Sequence, residues 1–468
     1  MNKNNKTSAK ISKVEKTNEK ISGRGGLTLF LLYVENIMFY PLVSKIFGKL
    51  SRSGKGLQLF QFIKQILAHF IDGTDMSISS FDRKKEDVGY TAVLENKMKD
   101  MASSHQIKRF FCKLMLNNIG NNVYRKILHQ LFIWRLKIEK PKCIELGIDT
   151  MVMDNDDAKK REGSEPTYKK KKGFQPLHIS WGPYLVDVLF RSGSKHSNHG
   201  TDYIDTIRDI VNLIRTKYCS DIPIILRADS GFLDQKAFTY FEEELKILYV
   251  VSGKMYEGIK EYISGIDYKQ YGKYTRNGIW SYLELGNKLK SWKKFRRCIF
   301  TTLETDEKGQ FILEFAKTDS IIYTNICQDT ELTEQLKETC KNEKIATAES
   351  IISLAHGRGA DELIHRSIKE LATKEQLPFE RMGMNCAYYY LLVIAHFLFE
   401  AYKRDVTADV LPIVSYPNTF RRNLIDFAVK IVSHGGQIIM KIAKAIYDKL
   451  RIEELWKLCQ SPPVIVWS

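Results

Sequence analysis

Ile222-Pro223-Ile224-Ile225-Leu226-Arg227-Ala228-Asp229-Ser230-Gly231-Phe232 is a short apolar run that ends in a carboxylate and a glycine-containing turn. Strands that are apolar on both faces are typical of parallel sheets covered by helices, and such sheets bind ligands at the carboxyl ends of their strands. A helical pattern over residues 236–245 and another apolar strand over residues 247–251 follow. The run therefore predicts an α/β fold with Asp229 at a ligand-binding edge, although an ordinary turn would have the same sequence.

A second carboxylate lies in an earlier strand. The apolar period there is two, and one face of the predicted strand carries Ile144, Leu146, Ile148, Thr150 and Val152. Asp149 lies on the opposite face. A carboxylate inside an apolar strand is costly unless it has a partner, so Asp149 is either a hydrogen-bonded structural residue or a functional one. Two antiparallel strands joined by a tight turn at Gly182-Pro183 are predicted after it.

A third carboxylate, Glu362, lies on a predicted helix. At about 100° per residue, Arg358, Glu362 and Lys369 fall within about 60° of one another on this helix. The pattern suits a carboxylate that binds a metal beside cations that bind phosphate. It equally describes a solvated helix face on which Glu362 forms ion pairs with Arg358 or Arg366.

These three carboxylates are candidates for one site. Two divalent metal ions about 3.5 to 4 Å apart need a few converging carboxylates, and such a pair stabilises the attacking and the leaving oxygen of a phosphoryl transfer. Oxygen ligands suit Mg²⁺. Soon after the Asp149 strand comes a run of cations that would either contact DNA phosphates or form a solvated loop: Lys169, Lys170, Lys171 and Lys172.

The composition describes a globular protein with a polyanionic partner. The 468 residues are 44% hydrophobic and 11% aromatic, and the net charge of +17 is spread over the whole chain, which favours nucleic acid over membrane. The eight cysteines form no Cys-x-x-Cys pair, which argues against a zinc ribbon and a disulfide framework and favours a reducing cytoplasm. Neither a secretory signal nor a membrane span is predicted, because the apolar stretches 27–50 and 386–399 are typical of buried helices.

The periodicity divides the chain into six regions. The first is lysine-rich with few large apolar side chains, the second and the last have helical periodicity, and the fourth alternates as strands do. DNA binding and plain helix packing are alternatives for the second region. The predicted regions are a disordered basic arm (1–25), a helical N-terminal domain (26–140), the first part of a catalytic core (141–252), a β-rich insertion subdomain (253–345), the second part of the core with the Glu362 helix (346–405) and a helical basic C-terminal region (406–468).

Three segments together resemble the DDE transposases of bacterial insertion sequences. They are Ile148-Asp149-Thr150, Leu226-Arg227-Ala228-Asp229-Ser230-Gly231-Phe232 and Arg358-x3-Glu362-x6-Lys369. The resemblance covers residues 140 to 400 and is to the large group with a Tyr-x2-Arg-x3-Glu-x6-Lys signature. The Arg-Ala-Asp-Ser-Gly-Phe string and the Arg, Glu, Lys spacing are specific together, although either alone is weak.

The resemblance implies an RNase H-like catalytic core, in which a mixed sheet with flanking helices is interrupted by the β-rich insertion. Asp149, Asp229 and Glu362 would hold Mg²⁺, with Mn²⁺ as a substitute. The implied reaction is cut-and-paste transposition: water nicks the element ends, the freed 3′-hydroxyl attacks, and a target strand is joined.

By the same resemblance Arg358 and Lys369 correspond to phosphate-binding cations, and Arg366 on the same helix is a further DNA-binding candidate. The partner would be double-stranded DNA, both element ends and target, bound by a homodimer in the prokaryotic cytoplasm. A non-catalytic DNA-binding remnant of the fold and a stand-alone nuclease are the alternatives. One position departs from the signature, because Ala355 stands where the family has tyrosine and His356 follows it.

Overall fold

The structure, a computed structural model, describes residues 11, 13–48, 56–116, 121–158, 160–195, 200–290, 292–313, 318–327, 330–357, 359–372 and 375–466. At residues 121 and 359–362 it describes the backbone alone. Arg358, the side chain of Glu362 and the first ten residues of the predicted arm therefore lie outside the described residues.

Strands and helices alternate through the middle of the chain, between two regions that are richer in helices. The helices are α1 (Gly26–Asn36), α2 (Phe39–Phe47), α3 (Leu59–Asp72), α4 (Ser80–Glu86), α5 (Val88–Val93), α6 (Ser104–Leu116), α7 (Asn121–Glu139), α8 (Asp202–Lys217), α9 (Gln235–Glu243), α10 (Glu257–Ser264), α11 (Glu331–Cys340), α12 (Ala348–His356), α13 (Gly359–Ala372), α14 (Met382–Tyr402), α15 (Pro417–Phe420), α16 (Lys444–Lys449) and α17 (Ile452–Gln460). The strands are β1 (Lys20–Ser22), β2 (Ile144–Thr150), β3 (Met153–Asp154), β4 (Glu165–Pro166), β5 (Lys172–Phe174), β6 (Leu177–Trp181), β7 (Tyr184–Leu189), β8 (Ile224–Ala228), β9 (Leu248–Gly253), β10 (Gly272–Thr275), β11 (Ile279–Asn287), β12 (Arg296–Thr305), β13 (Ser320–Thr324), β14 (Val429–His434) and β15 (Gln437–Ile442). Short 3-10 helices lie at Met98–Asp100, Ser230–Phe232, Tyr268–Gln270 and Glu343–Ala346, and π-helical turns at Lys403–Thr407 and Arg421–Ile425.

A nine-stranded mixed sheet forms the centre of the protein, in the order β10-β11-β12-β13-β9-β8-β2-β6-β7. Strands β2, β8 and β9 run parallel to one another, and the strands on either side of them pair antiparallel. Parallel neighbours require crossover connections, which α8 and α9 supply here. The predicted α/β fold with a mixed sheet and flanking helices is confirmed.

Helices cover both faces of this sheet. On one face Phe238 of α9 stacks on Tyr249 of β9, with ring centroids 4.5 Å apart. Successive residues of a strand point to opposite faces. Val250 therefore points to the other face, where it packs with Ile351 and Ile352 of α12 in a second hydrophobic core. Burial on both faces explains why β8 and β9 are apolar almost throughout.

The strands of the predicted insertion continue the central sheet instead of forming a sheet of their own. Across neighbouring strands, Cys298 of β12 pairs with Tyr323, Tyr323 with Val251, and Val251 with Ala228. Cys298 is therefore level with Ala228, the last residue of β8. The last residue of β12, Thr305, lies seven residues beyond Cys298, which is about 20 Å at the rise of an extended strand. β11 and β12 therefore project as a wall beyond the carboxyl edge of β8. This segment also contains α10, where the sequence pattern predicts strands alone.

The N-terminal helices pack around α14. Phe70 of α3 and Phe111 of α6 both contact Tyr388 of α14, with ring centroids 5.1 and 5.8 Å apart. Tyr33 of α1 donates a hydrogen bond of 2.7 Å to Asp405, just beyond α14. The apolar residues of this contact belong to one hydrophobic core that also includes the central sheet.

The C-terminal region contains a three-stranded sheet where the sequence predicts helices alone. β14 and β15 form an antiparallel hairpin, and β1 pairs with β14 from Lys20 to Ser22, inside the arm that is predicted to be disordered. The turn consists of Gly435 and Gly436, whose φ angles are +57° and +76°. Two residues with positive φ close a tight hairpin whose twist matches that of the strands. The predictions of an all-helical region 406–468 and a disordered arm extending to residue 25 are therefore wrong at these residues.

One described helical stretch, Met382–Thr407, is long and apolar enough to cross a membrane. Of its most apolar window, 78% is buried inside the protein, and core helices of globular proteins pass the same test. The helices α1 and α2 pass it only as a pair, bent by 59° at their junction. Most residues of both helices are buried.

Candidate active site

Two of the three predicted carboxylates lie side by side on neighbouring parallel strands. Ile148 of β2 is paired in register with Ala228 of β8. The next residue on each strand is an aspartate, Asp149 and Asp229. Neighbouring strands are about 4.8 Å apart, and residues at equivalent positions point to the same face. The register therefore brings both carboxylates to the carboxyl edge of the sheet.

Backbone amides orient both carboxylates. The Thr150 amide donates a hydrogen bond of 2.7 Å to Asp149 Oδ1, and the Gly231 amide donates one of 2.8 Å to Asp229 Oδ1. The second bond makes Asp229 the cap of the 3-10 turn Ser230–Phe232, which explains the Asp-Ser-Gly sequence at the end of the strand. Both side chains are half-buried, so they are held by the protein and still accessible from the cleft.

A cleft of about 820 Å³ opens at this edge and includes both aspartates in its lining. Three of the predicted DNA-binding residues also line it, namely Lys169, Arg366 and Lys369. The other lysines of the run, 170–172, are exposed beside the cleft. The structure thus brings five of the predicted site residues around one cavity.

The lining includes further polar residues that the sequence pattern does not reveal. They are Tyr168, His365, Glu370, Glu375 and Asn418. Only Tyr168 has a local signal, because it precedes the lysine run directly. Burial raises its pKa, and the negative charges of the two aspartates raise it further, so its hydroxyl is neutral at physiological pH and can donate a hydrogen bond.

Two of the cations that line the cleft, Lys369 and Arg366, have carboxylate partners. Lys369 Nζ lies 2.7 Å from Glu375 Oε1, and Arg366 Nε donates a hydrogen bond of 3.0 Å to Glu370 Oε1. The Arg366 guanidinium also lies 3.9 Å from the ring centroid of Tyr416. Ion pairs of exposed and partly exposed side chains are weak, so a phosphate group can replace the carboxylate at small cost.

The lysine run forms the turn that joins two strands of a small sheet, and all four lysines are exposed. β5 begins at Lys172 and pairs with β3 and β4. The turn before it is closed by Thr167, whose amide and hydroxyl both bind the Lys171 carbonyl at 2.9 Å. Lys171 Nζ lies 2.5 Å from Asp154 Oδ2, and this contact lowers the pKa of the Asp154 carboxyl. The run therefore has a fixed position next to the aspartates.

The two ends of the segment that includes Glu362 lie near different strands of the sheet. At its start, a Cβ on Gly357 would lie 2.8 Å from a terminal nitrogen of Arg227 on β8. One turn beyond position 362, the ring of His365 lies 5.4 Å from the ring of His178, which is the β6 neighbour of Asp149. Because β2 lies between β8 and β6, the contacts of Gly357 and His365 lie on either side of β2.

The position of the missing family tyrosine lies away from the cleft. Ala355 packs against the second hydrophobic core. The ring of His356 lies 4.5 Å from Trp280 and 6.1 Å from Tyr274, on the projecting wall. Burial and the charge of Arg276 lower the pKa of His356, so it is neutral at physiological pH. Its described contacts are with the insertion and not with the aspartates.

The described part of the chain contains no group of three or more His, Cys, Asp or Glu side chains arranged to hold a metal ion. Two carboxylates at a strand edge supply the oxygen donors that Mg²⁺ prefers. The third predicted ligand, Glu362, has its side chain outside the described residues. The two aspartates therefore fit a divalent ion that takes its remaining ligands from elsewhere.

Fold and site together define an α/β protein with paired aspartates at the carboxyl edge of a mixed sheet. The chain belongs to the family described as transposase DDE domain group 1, whose model matches residues 4–462. No curated protein matches the sequence. A solved structure with some similarity is the cryo-EM structure of a piggyBac transposase synaptic complex with hairpin DNA, at 13% identity and a TM-score of 0.40, over 87% of this chain and 82% of that chain.

Proposed function

We propose that the protein is a DNA transposase of the bacterial insertion-sequence kind, which cleaves DNA at the ends of its element and joins the freed 3′ ends to target DNA. Family membership supports the general class. The Arg358, Glu362 and Lys369 spacing supports the narrower group, in which Ala355 remains the exception.

The observation that carries this proposal is the register between β2 and β8. It places Asp149 and Asp229 next to each other, with each carboxylate oriented by a backbone amide. Two carboxylates about 5 Å apart at their backbones repel each other. A divalent cation bound between them would relieve this repulsion, which is a functional reason for the arrangement.

Glu362 is the third ligand in this proposal. The contacts of Gly357 and His365 lie on either side of β2, and position 362 lies between these two residues in the chain, which supports this role. The strands β7, β6, β2, β8 and β9 would correspond to the RNase H-like core, and β10 to β13 to the insertion that separates Asp229 from Glu362 along the chain.

Asp149, Asp229 and Glu362 would hold Mg²⁺ or Mn²⁺, and a pair of such ions, when bound, stabilises the attacking and leaving oxygens of phosphoryl transfer. The chain itself positions the reacting DNA. Lys169, Arg366 and Lys369 line the same cleft and would bind the phosphates on either side of the cleaved bond. Tyr168 adds a neutral hydroxyl to the cleft.

The partner is double-stranded DNA in this proposal, bound as a homodimer that holds two element ends. The net charge of +17 and the exposed lysines at 169–172 support a polyanionic partner. Arg358 and Arg366 lie on or next to the helix of Glu362 and would extend this contact.

Cleavage and strand joining on DNA that carries the element's own ends, with Mg²⁺ or Mn²⁺, test the proposal. Wild-type protein should cleave and join, and Asp229→Asn should do neither. Asp448→Asn is a matched control, because Asp448 is an exposed aspartate on α16. Cleavage without joining would indicate a nuclease, and DNA binding without cleavage would indicate a non-catalytic binding protein. Full activity of Asp229→Asn would rule out the site.

A further inference from the structure

The turn between β11 and β12 is the most basic described surface outside the cleft. Six of the ten residues from Lys288 to Arg297 are lysine or arginine, and none is acidic. Lys294 and Arg296 lie 2.5 and 3.1 Å from the carboxylate of Glu242. By contrast, three exposed lysines form no ion pair with any described residue: Lys288, Lys290 and Lys293.

Exposed aromatic rings lie next to these lysines. Phe295 is 71% exposed, Tyr262 61% and Tyr256 42%. Tyr256 and Tyr262 line a cavity of about 360 Å³ together with Lys288 and Lys290. Large aromatic side chains are normally buried, so a group of exposed rings marks a binding surface.

Buried side chains on the β12 side anchor this surface to the protein. Trp292 is buried, and its ring centroid lies 5.0 Å from that of Tyr323. The Arg296 guanidinium lies 4.9 Å from the Trp292 ring and 5.2 Å from the Phe238 ring. The basic residues that form contacts thus fix the turn, and the remaining lysines point outward from a fixed base.

This surface is separate from the aspartate cleft. The two cavities share no lining residue. Two strands, β13 and β9, lie between β12 and β8, which places the turn about 15 Å to the side of Asp229 at ordinary strand spacing. A ligand there would not occupy the cleft.

We infer that the β11–β12 turn and α10 form a binding site for single-stranded DNA, with a base in the Tyr256–Tyr262 cavity, phosphates on Lys288, Lys290 and Lys293, and a further base stacked on Phe295. Bases of a duplex are stacked inside the helix and cannot reach exposed rings, whereas unpaired bases stack on such rings in any sequence. The inference rests on the proposed function only in taking DNA as the partner.

Binding of full-length protein to a labelled oligothymidine and to a duplex of equal length tests this site. Tyr262→Ala with Phe295→Ala should weaken oligothymidine binding about 10-fold and leave duplex binding unchanged. Lys288→Ala, Lys290→Ala and Lys293→Ala together should reduce the salt slope for oligothymidine by about 2. The control triple Lys217→Ala, Lys344→Ala and Lys449→Ala removes the same charge from exposed positions elsewhere and should leave the slope unchanged.

Three outcomes would overturn the site: unchanged oligothymidine binding in the aromatic variant, equal loss on the duplex, or equal slopes in both lysine triples. All the substituted side chains are exposed, so thermal unfolding should match wild type and exclude misfolding as a cause. Asp229→Asn should bind oligothymidine normally. If wild type fails to cleave but this binding persists, the proposed function alone is wrong, and if it cleaves but the variants bind normally, this site alone is wrong.

Discussion

Two carboxylate sites on the central sheet differ in their burial and in their surroundings. Asp187 lies in the middle of β7, is 0% exposed and receives hydrogen bonds of 2.8 and 2.7 Å from Arg125. Asp149 and Asp229 lie at strand ends, half-buried, with a cleft in front of them. The first carboxylate is neutralised by the protein, whereas the other two are placed beside each other and face a cavity.

The Asp187 site shows what a structural carboxylate needs. His129 Nε2 lies 3.0 Å from its Oδ2. Burial alone would raise the pKa of Asp187, but His129 and Arg125 outweigh burial and lower it. Both partners lie on α7, far from Asp187 in sequence. An aspartate in an apolar strand is therefore not sufficient to indicate a functional site, because it can equally be a structural residue that is paired with cations, as Asp187 is.

The largest expected difference between the two sites is in DNA cleavage. Asp229→Asn should reduce the rate about 1,000-fold, because several kcal/mol of transition-state stabilisation depend on the charge of the ligands. Asp187→Asn, assayed at a temperature where it is folded, should cleave within a few-fold of wild type. Similar rates for the two variants would remove the distinction between a functional and a structural carboxylate.

For stability, the substitution at Asp187 should have the larger effect and the one at Asp229 the smaller. Asp187→Ala should lower the free energy of unfolding by about 3 kcal/mol, because it leaves Arg125 buried without its main partner. Asp229→Asn should not lower it, because removing one of two neighbouring like charges relieves repulsion. Urea unfolding of both variants measures this, and a larger loss in Asp229→Asn would mean that the cleft aspartates are structural.

The acid limb of the stability curve should depend on Asp187. Its pKa is lowered in the folded protein, so its contribution is complete above the unfolded value of about 4 and is lost as the pH falls through the lower folded value. As the pH falls from 5 to below both values, wild type should therefore lose more unfolding free energy than Asp187→Asn, by about 1.4 kcal/mol in total per unit of pKa shift. Parallel curves for the two proteins would contradict the assigned ion pair.

The smallest expected difference is in the salt dependence of DNA binding, between variants of two lysines in the same run. Lys169 lines the cleft and forms no ion pair with a described residue, whereas Lys171 is paired with Asp154. Lys169→Ala should reduce the salt slope of duplex binding by about 1, and Lys171→Ala by less. If Lys171→Ala has the larger effect, the ion pair opens on binding and the partnered cations are the DNA contacts.

The positions of Asp149 and Asp229 could be predicted from the sequence, because the patterns that indicate them are local. Alternation around Asp149 and the apolar run before Asp229 each indicate a strand, and parallel neighbours bring their carboxyl ends to one edge. The carboxylate partners of Arg366 and Lys369 could not be predicted from the sequence. Glu370 of α13 and Glu375 of the segment after it reach the cleft only through tertiary packing, which no short pattern encodes.

The differences between the predicted and the observed fold have two causes. The β14–β15 hairpin had a signal in Gly435-Gly436, two glycines between alternating segments, which is typical of a two-residue turn. The pairing of β1 with β14 and of β13 with β9 had none. Both join segments that are distant in sequence mainly through backbone hydrogen bonds, which carry no side-chain code.

We propose that Asp149, Asp229 and Glu362 form one metal site at the carboxyl edge of β2 and β8. Anomalous X-ray diffraction from crystals of the protein grown with Mn²⁺ tests this site directly. We expect Mn²⁺ in the cleft, bonded to carboxylate oxygens of all three residues, and no such peak in Asp229→Asn crystals. Mn²⁺ elsewhere, or a cleft ion without Glu362 among its ligands, would contradict it.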